Sequence, residues 1–240
     1  MGANVANHLY DLTTTIQPKN GAIEVDFMAL AKDAAIHYTL DGSEPTQKSN
    51  LFKTPIKMEA SSTIKAQAFS GTKKVGRAWS QAINLHPLTG KNIELKTQPS
   101  DKYSGGGNGS IINGVLGSNE RYGDAEWLGF DGDNLEAIID LQKETVLKKL
   151  NFRFFNGEGQ WIYLPKAIQI AASNDGNFFE NIALQKNITG DKKVVEVIVP
   201  VEKFKHQYLK ILVENFGTIP DGAQGGGNKS WLFVDEITAE

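Results

Sequence analysis

Short runs in which apolar and polar residues alternate, cut apart by turn chemistry, dominate this chain. No long stretch carries a helical stripe. Ile23-Glu-Val-Asp-Phe27, Thr63-Ile-Lys-Ala-Gln-Ala-Phe69 and Gln81-Ala-Ile-Asn-Leu85 all follow the two-residue period of a half-buried strand. Ile36-His-Tyr-Thr-Leu40 runs directly into Asp41-Gly42, a pair that supplies the positive φ of a tight turn, and Pro45 stops any helix there. The 24 glycines among 240 residues fit an all-β chain with many turns.

A polar connector, His86-Pro-Leu-Thr-Gly-Lys91, carries the proline that ends a strand, so a domain boundary is expected at 88/89. Beyond it lie six further strand runs, at residues 137–141, 146–154, 167–171, 194–199, 208–214 and 231–237. They predict a second β-sandwich of jelly-roll type. The length allows each part its own core.

The net charge of −3 gives neither a nucleic-acid footprint nor one for an anionic membrane, and no run is apolar enough for membrane insertion. Without cysteine there is no disulfide framework and no thiol nucleophile. Residues 1–8 show no leader of their own. Two glycine-rich loops, 104–110 and 221–230, lack the Gly-Lys-Ser/Thr and following helix of a phosphate loop, and the four histidines have no ligand spacing.

Tyr38-Thr-Leu-Asp-Gly-Ser-Glu-Pro-Thr46, with the later Thr63-Ile-Lys-Ala66, resembles the fibronectin-III-like module that follows the catalytic barrel of bacterial chitobiases and β-hexosaminidases. Residues 1–88 are accordingly expected to form a small immunoglobulin/fibronectin-like sandwich. Residues 89–240 resemble the coagulation factor 5/8 type C, or discoidin-like, family that includes the family-32 carbohydrate-binding modules. Asn113-Gly114, Trp127-Leu-Gly-Phe130, Ile139-Asp-Leu141, Pro165, Ser173-Asn-Asp-Gly176, Tyr208-Leu-Lys-Ile211 and Trp231-Leu-Phe-Val-Asp-Glu-Ile237 carry that resemblance, in the family's order.

The resemblance implies a structural Ca²⁺ site that ties the ends of the sandwich together. Its ligands would be Asn113 where the family usually has Asp, the carbonyl of Val115, Ser118, the carbonyl of Asp235 and the carboxylate of Glu236. Such a set suits calcium, which takes six to eight oxygens of mixed type. It further implies glycan partners, such as those containing N-acetylhexosamine or galactose, a catalytic barrel in the parent enzyme, and a periplasmic, extracellular or cell-surface location. Asp235-Glu236 imitates the acidic pair of hexosaminidases, but without the preceding His-x-Gly-Gly it is expected to be non-catalytic.

Sugar binding needs an apolar face for C–H groups and fixed partners for hydroxyls. Loop candidates are Arg121 and Tyr122 before Trp127, then Asn156, Glu158, Gln160 and Trp161, with Phe216 and Asn228 flanking the late glycine-rich loop. Arg121, Tyr122 and Phe216 are the preferred contacts. Trp127 and Trp231 read as core, while Trp161 reads equally as core or contact. Competing expectations are a structural brace packed on the barrel and a cell-surface adhesion module.

Overall fold

The structure, a computed structural model, describes residues 7–19 and 22–240. Residues 1–6, part of the segment read for a leader, and Asn20 and Gly21 lie outside them. The chain is all-β apart from 3-10 turns and divides into two compact units after Leu85.

The first unit contains β1 (Thr13–Lys19), β2 (Ala22–Met28), β3 (Ala35–Thr39), β4 (Asn50–Leu51), β5 (Ile56–Met58), β6 (Ser62–Ser70) and β7 (Lys73–Ile83). They form a sheet of order β1-β2-β5 and another of order β4-β3-β6-β7. The alternation that marks β2 in the sequence buries Ile23, Val25 and Phe27. Phe27 meets Phe52 and Trp79 edge to face at 5.3 and 5.0 Å, which packs one sheet on the other. Gly76, at φ +67, sits against the Tyr10 carbonyl with no room for a Cβ, and this close approach explains the glycine in a long strand.

The second unit adds β8 (Asn92–Leu95), β9 (Leu128–Asp131), β10 (Leu135–Phe155), β11 (Ala167–Ser173), β12 (Glu180–Lys186), β13 (Val194–Glu214) and β14 (Trp231–Ala239). The division at Leu85 falls earlier than the boundary expected from the connector, because Leu88 is wholly buried in the second unit's core. Four of the expected runs merge in pairs: 137–141 with 146–154 into β10, and 194–199 with 208–214 into β13. Each merged strand has 21 residues and would extend ~70 Å if straight.

Such strands must bend to stay within a sandwich. The β10–β13 register shifts between Asp140 and Thr145 and again between Leu147 and Lys149, and Gln142 takes a left-handed φ of +69 at the first shift. Before the bend, β10 pairs with β8 and the late half of β13; after it, with β14 and the early half of β13. Each long strand thus serves both layers. Leu135, Ala137, Ile139 and Leu141 meet Leu150, Phe152 and Phe154 in one shared core.

Candidate functional site: a buried carboxylate cluster and a loop cavity

The parity of β14 creates the first site. Leu232, Val234, Ile237 and Ala239 face the main core, so the inward spacing jumps from two to three residues between Val234 and Ile237. At that point Phe152 pairs with Ile237 and Phe154 with Val234, leaving two residues, Asp235 and Glu236, opposite Arg153 alone. This is a β-bulge. It turns two consecutive carboxylates away from the apolar core, yet both have 0% exposure because the 113–118 turn covers them.

Gly114 N–H donates to Glu236 Oε1 at 3.2 Å and Gly117 N–H to Asp235 Oδ2 at 2.8 Å. Asn113 Oδ1 accepts from Val115 N at 2.7 Å, shaping the turn, while its Nδ2 donates to Glu126 Oε2 at 2.9 Å. Arg153 donates to the same Asp235 oxygen and, at 2.6 Å, to Asn119. His86 Nδ1 accepts from Leu88 N at 3.3 Å, which leaves the proton on Nε2 to donate to Glu236 Oε1 at 2.9 Å.

Burial raises the Glu236 carboxyl well above its usual range, helped by the charges of Asp235 and Glu126. It lifts Asp235 to about 7 despite Arg153, and it lifts Glu126. His86 is depressed to about 4, also by burial, and is therefore a neutral donor at neutral pH. Among the described residues Glu236 Oε2 and Asp235 Oδ1 are buried without hydrogen-bond partners. The cluster has more carboxylate than its one arginine can neutralise, so each surplus acid must hold a proton or meet a cation.

The ligands expected from resemblance are brought together only in part. Asn113, Val115 and Glu236 share the turn. The Asp235 side chain pairs with Arg153, which leaves the carbonyl expected as its ligand atom untouched, and the Ser118 oxygens accept from Glu120 N at 3.1 Å and Trp127 Nε1 at 3.2 Å. Among the described residues no group of three or more His, Cys, Asp or Glu side chains is arranged to hold a metal. A cation here would rely on backbone and amide oxygens besides carboxylate. The partnerless Glu236 Oε2 and the raised Glu126 beside Asn113 suit that role, so the donors fit a hard cation. Sequence reasoning missed Glu126, Arg153 and His86. The last looked like connector, with only its neighbouring buried Leu88 as a signal.

The second site is a loop-lined cavity of 490 Å³. Three of the sugar candidates, Asn156, Glu158 and Phe216, line it together with Tyr163, Lys166 and Lys186. Phe216 stacks on Tyr163 with ring centroids 4.8 Å apart at 28°. Asn156 is occupied elsewhere: its Nδ2 donates to the carbonyls of Gly190 and Lys192 at 3.1 and 3.4 Å, tying down a rim.

The other candidates stand apart from that cavity. Tyr122 is half-buried in an aromatic cluster, with ring centroids 4.9 Å from Phe233, 5.2 Å from Phe155 and 5.8 Å from Tyr103. With Gln160, Ile162 and Trp231 it borders a cleft of only 110 Å³. Trp127 is wholly buried in that cluster and Trp231 half-buried at its edge. Trp161, at a left-handed φ of +65 and 37% exposed, lays its ring over Gly225, leaving no space for a Cβ. Asn228 closes the same loop by donating to the Gly225 carbonyl at 2.9 Å, and Arg121 lies exposed outside both cavities. Tyr163, Lys166 and Lys186 were not singled out in the sequence, where only Pro165 of that stretch carries a signal.

Residues 18–78 match the family model described as the Chitobiase/beta-hexosaminidase C-terminal domain. No curated protein matches the chain. Among solved structures the chain is similar to the module CpGH89CBM32-4 of Clostridium perfringens in complex with glcNAc-alpha-1,4-galactose, at 16% identity, covering 65% of this chain and 92% of that one, with a TM-score of 0.40. It is also similar to chitosan-binding module 1 of a chitosanase/glucanase from Paenibacillus sp. IK-5, at 9% identity, 65% and 99% coverage and a TM-score of 0.43. A Streptococcus pneumoniae fucose binding module, SpX-3, is similar at 14% identity, 65% and 97% coverage and a TM-score of 0.42.

Proposed function

We propose that the second unit is a non-catalytic glycan-binding module and the first a spacer, both serving an exported β-N-acetylhexosaminidase whose catalytic barrel lies outside this sequence. The observation that carries the reading is the 490 Å³ cavity walled by the stacked Tyr163 and Phe216 rings. Its size falls within the range of small-ligand sites, and it joins an apolar face to polar groups. The 18–78 match supports the identity of the parent enzyme. Weak affinity suffices for such a module, since tethering raises the effective concentration to the ~mM range.

The carboxylate cluster is assigned to structural calcium. Glu236 and Asn113, with Glu126 added to the set expected from sequence, would hold the ion. When bound, the ion supplies the positive charge that the buried acids lack. The Asp235 side chain is assigned to the Arg153 ion pair, which fixes the bulge, while its carbonyl keeps the ligand role expected from sequence.

Screening the whole chain on a glycan array, with calcium and with chelator, tests the reading. Specific glycan binding and no turnover of a chromogenic N-acetylglucosaminide are expected. A second reading, a brace packed on the barrel, is favoured by one observation: Met28, Leu30 and Leu51 of the first unit are 56%, 69% and 45% exposed. That reading takes over if no glycan is retained and the chain binds the separately produced barrel.

A further inference from the structure

The lining of the 490 Å³ cavity is richer in donors and positive charge than a neutral sugar requires. Lys166 and Lys186 both border it, and neither takes part in an ion pair among the described residues. Each ammonium offers three donors and no acceptor. Glu158 is the single carboxylate in the lining, so the wall carries a net positive charge within a chain of net charge −3.

Lys166 is held close to the aromatic wall. Its Nζ stands 3.2 Å from where a Cβ on Gly217 would lie, beside Phe216, and Gly217 itself has a φ of +90. The Tyr163 hydroxyl makes no hydrogen bond among the described residues, and burial together with the Glu158 charge raises its pKa, keeping it a proton donor. Asn156 spends its Nδ2 on the Gly190 and Lys192 carbonyls, and its amide oxygen adds no negative charge to the set.

We infer that this cavity takes a glycan carrying an anionic substituent, a uronic carboxylate or a sulfate ester, with the sugar ring on Phe216 and the anion held between Lys166 and Lys186. The inference rests on the glycan-binding reading and specifies its ligand class. Neutral hydroxyls then fall to Glu158 and Tyr163.

Calorimetric titration of the full chain in calcium decides the matter, with an oligogalacturonate, the same oligomer after reduction of its carboxyls, and a sulfated galactan oligosaccharide. At least one charged ligand should bind about tenfold tighter than the neutral one, equivalent to ~1.4 kcal/mol. That advantage should vanish in about 1 M salt, where the screening length falls to ~3 Å. Lys166→Gln with Lys186→Gln should erase it while leaving the thermal midpoint unchanged, and Lys166→Arg should retain it. Whichever charged oligomer shows the advantage identifies the substituent.

Equal affinity for neutral and charged oligomers overturns the inference and leaves glycan binding standing. Binding of none of the three overturns the inference, and the glycan array then decides the reading on which it rests. A charge preference that survives the double lysine replacement also overturns it, by placing recognition elsewhere on the surface.

Discussion

The two sites of the second unit treat charge in opposite ways. In the carboxylate cluster Asp235 and Glu236 are fully buried, their pKa values are driven upward, and two of their oxygens lack partners. In the loop cavity Lys166, Lys186 and Glu158 are exposed and unpaired. A buried charge acts on stability, because its removal from water must be offset within the fold. An exposed charge costs the fold little and remains available to a ligand. Changes at the cluster should therefore register in unfolding and changes at the cavity in binding, and each expectation below can break that division.

The largest effect is expected at Arg153, whose guanidinium donates to Asp235. Arg153→Ala should cost ~3–5 kcal/mol of unfolding free energy, because it leaves a buried carboxylate without its partner. Urea unfolding of the full chain measures it, following the second unit's transition by the fluorescence of Trp127 and Trp231. A loss below ~1 kcal/mol would show that Asp235 is already neutral in the fold and that the ion pair contributes little.

Calcium comes next. At a free concentration one hundred times its dissociation constant the ion should stabilise the second unit by ~2.7 kcal/mol. Glu236→Ala should remove the response, whereas Phe216→Ala should leave it intact. Melting curves that coincide in calcium and in chelator would refute the metal assignment and leave Glu236 as a protonated acid hydrogen-bonded to His86.

The cluster was legible in the sequence as a set of neighbours but not as a chemistry. Asn113-Gly114 and Asp235-Glu236 stand out by turn type and by closing a strand, and they do come together. Their partners could not be read in the same way. Arg153 lies within an alternating strand where a polar residue is ordinarily solvent-facing, and only the bulge in β14 places two acids over it. A bulge is a register event between strands, so periodicity along one strand cannot show it. The same limit explains why β10 and β13 each read as two strands: their bends interrupt the alternation, while the long-range pairing continues. The cavity was half legible because Asn156, Glu158 and Phe216 stand in polar or glycine-rich loops, whereas Tyr163 lies in the irregular stretch before β11 and the two lysines at or beside strand ends, with no local signal.

A third test uses pH in the presence of chelator. The folded pKa values of Asp235, Glu236 and Glu126 are raised, so their stabilising contribution is complete below the unfolded values and is lost as pH rises through the folded ones. His86 is depressed to about 4, so its contribution is present above 6.5 and lost as pH falls. Between pH 4.5 and 6.5 the histidine offsets one carboxylate, and the remaining raised acids leave a net loss of stability as pH rises. Above 6.5 that offset ends, while Asp235 completes its own titration at about 7. Unfolding free energy should therefore drop from about pH 5 to about pH 7 in chelator and flatten in calcium, which holds the acids ionised. Stability that rises over this range would show that the carboxylates are better compensated in the fold than their burial implies.

The smallest effect separates two aromatic residues that looked equivalent in the sequence. Tyr122 packs edge to face on Tyr103, Phe155 and Phe233, so Tyr122→Ala should lower stability by more than ~1 kcal/mol, since aromatic pairs add ~0.5–1.5 kcal/mol each beyond their buried area. Phe216 has one ring partner, Tyr163, and otherwise faces the cavity. Phe216→Ala should weaken glycan binding about threefold to tenfold, the loss of ~0.7–1.4 kcal/mol of apolar contact, and should shift the urea midpoint less than Tyr122→Ala does. If the order is reversed, with Tyr122→Ala abolishing binding in a protein of unchanged stability, the ligand belongs in the 110 Å³ aromatic cleft. The lysine-lined cavity would then lose its assignment, because a ring that supports the fold and a ring that meets a sugar cannot exchange roles without moving the site.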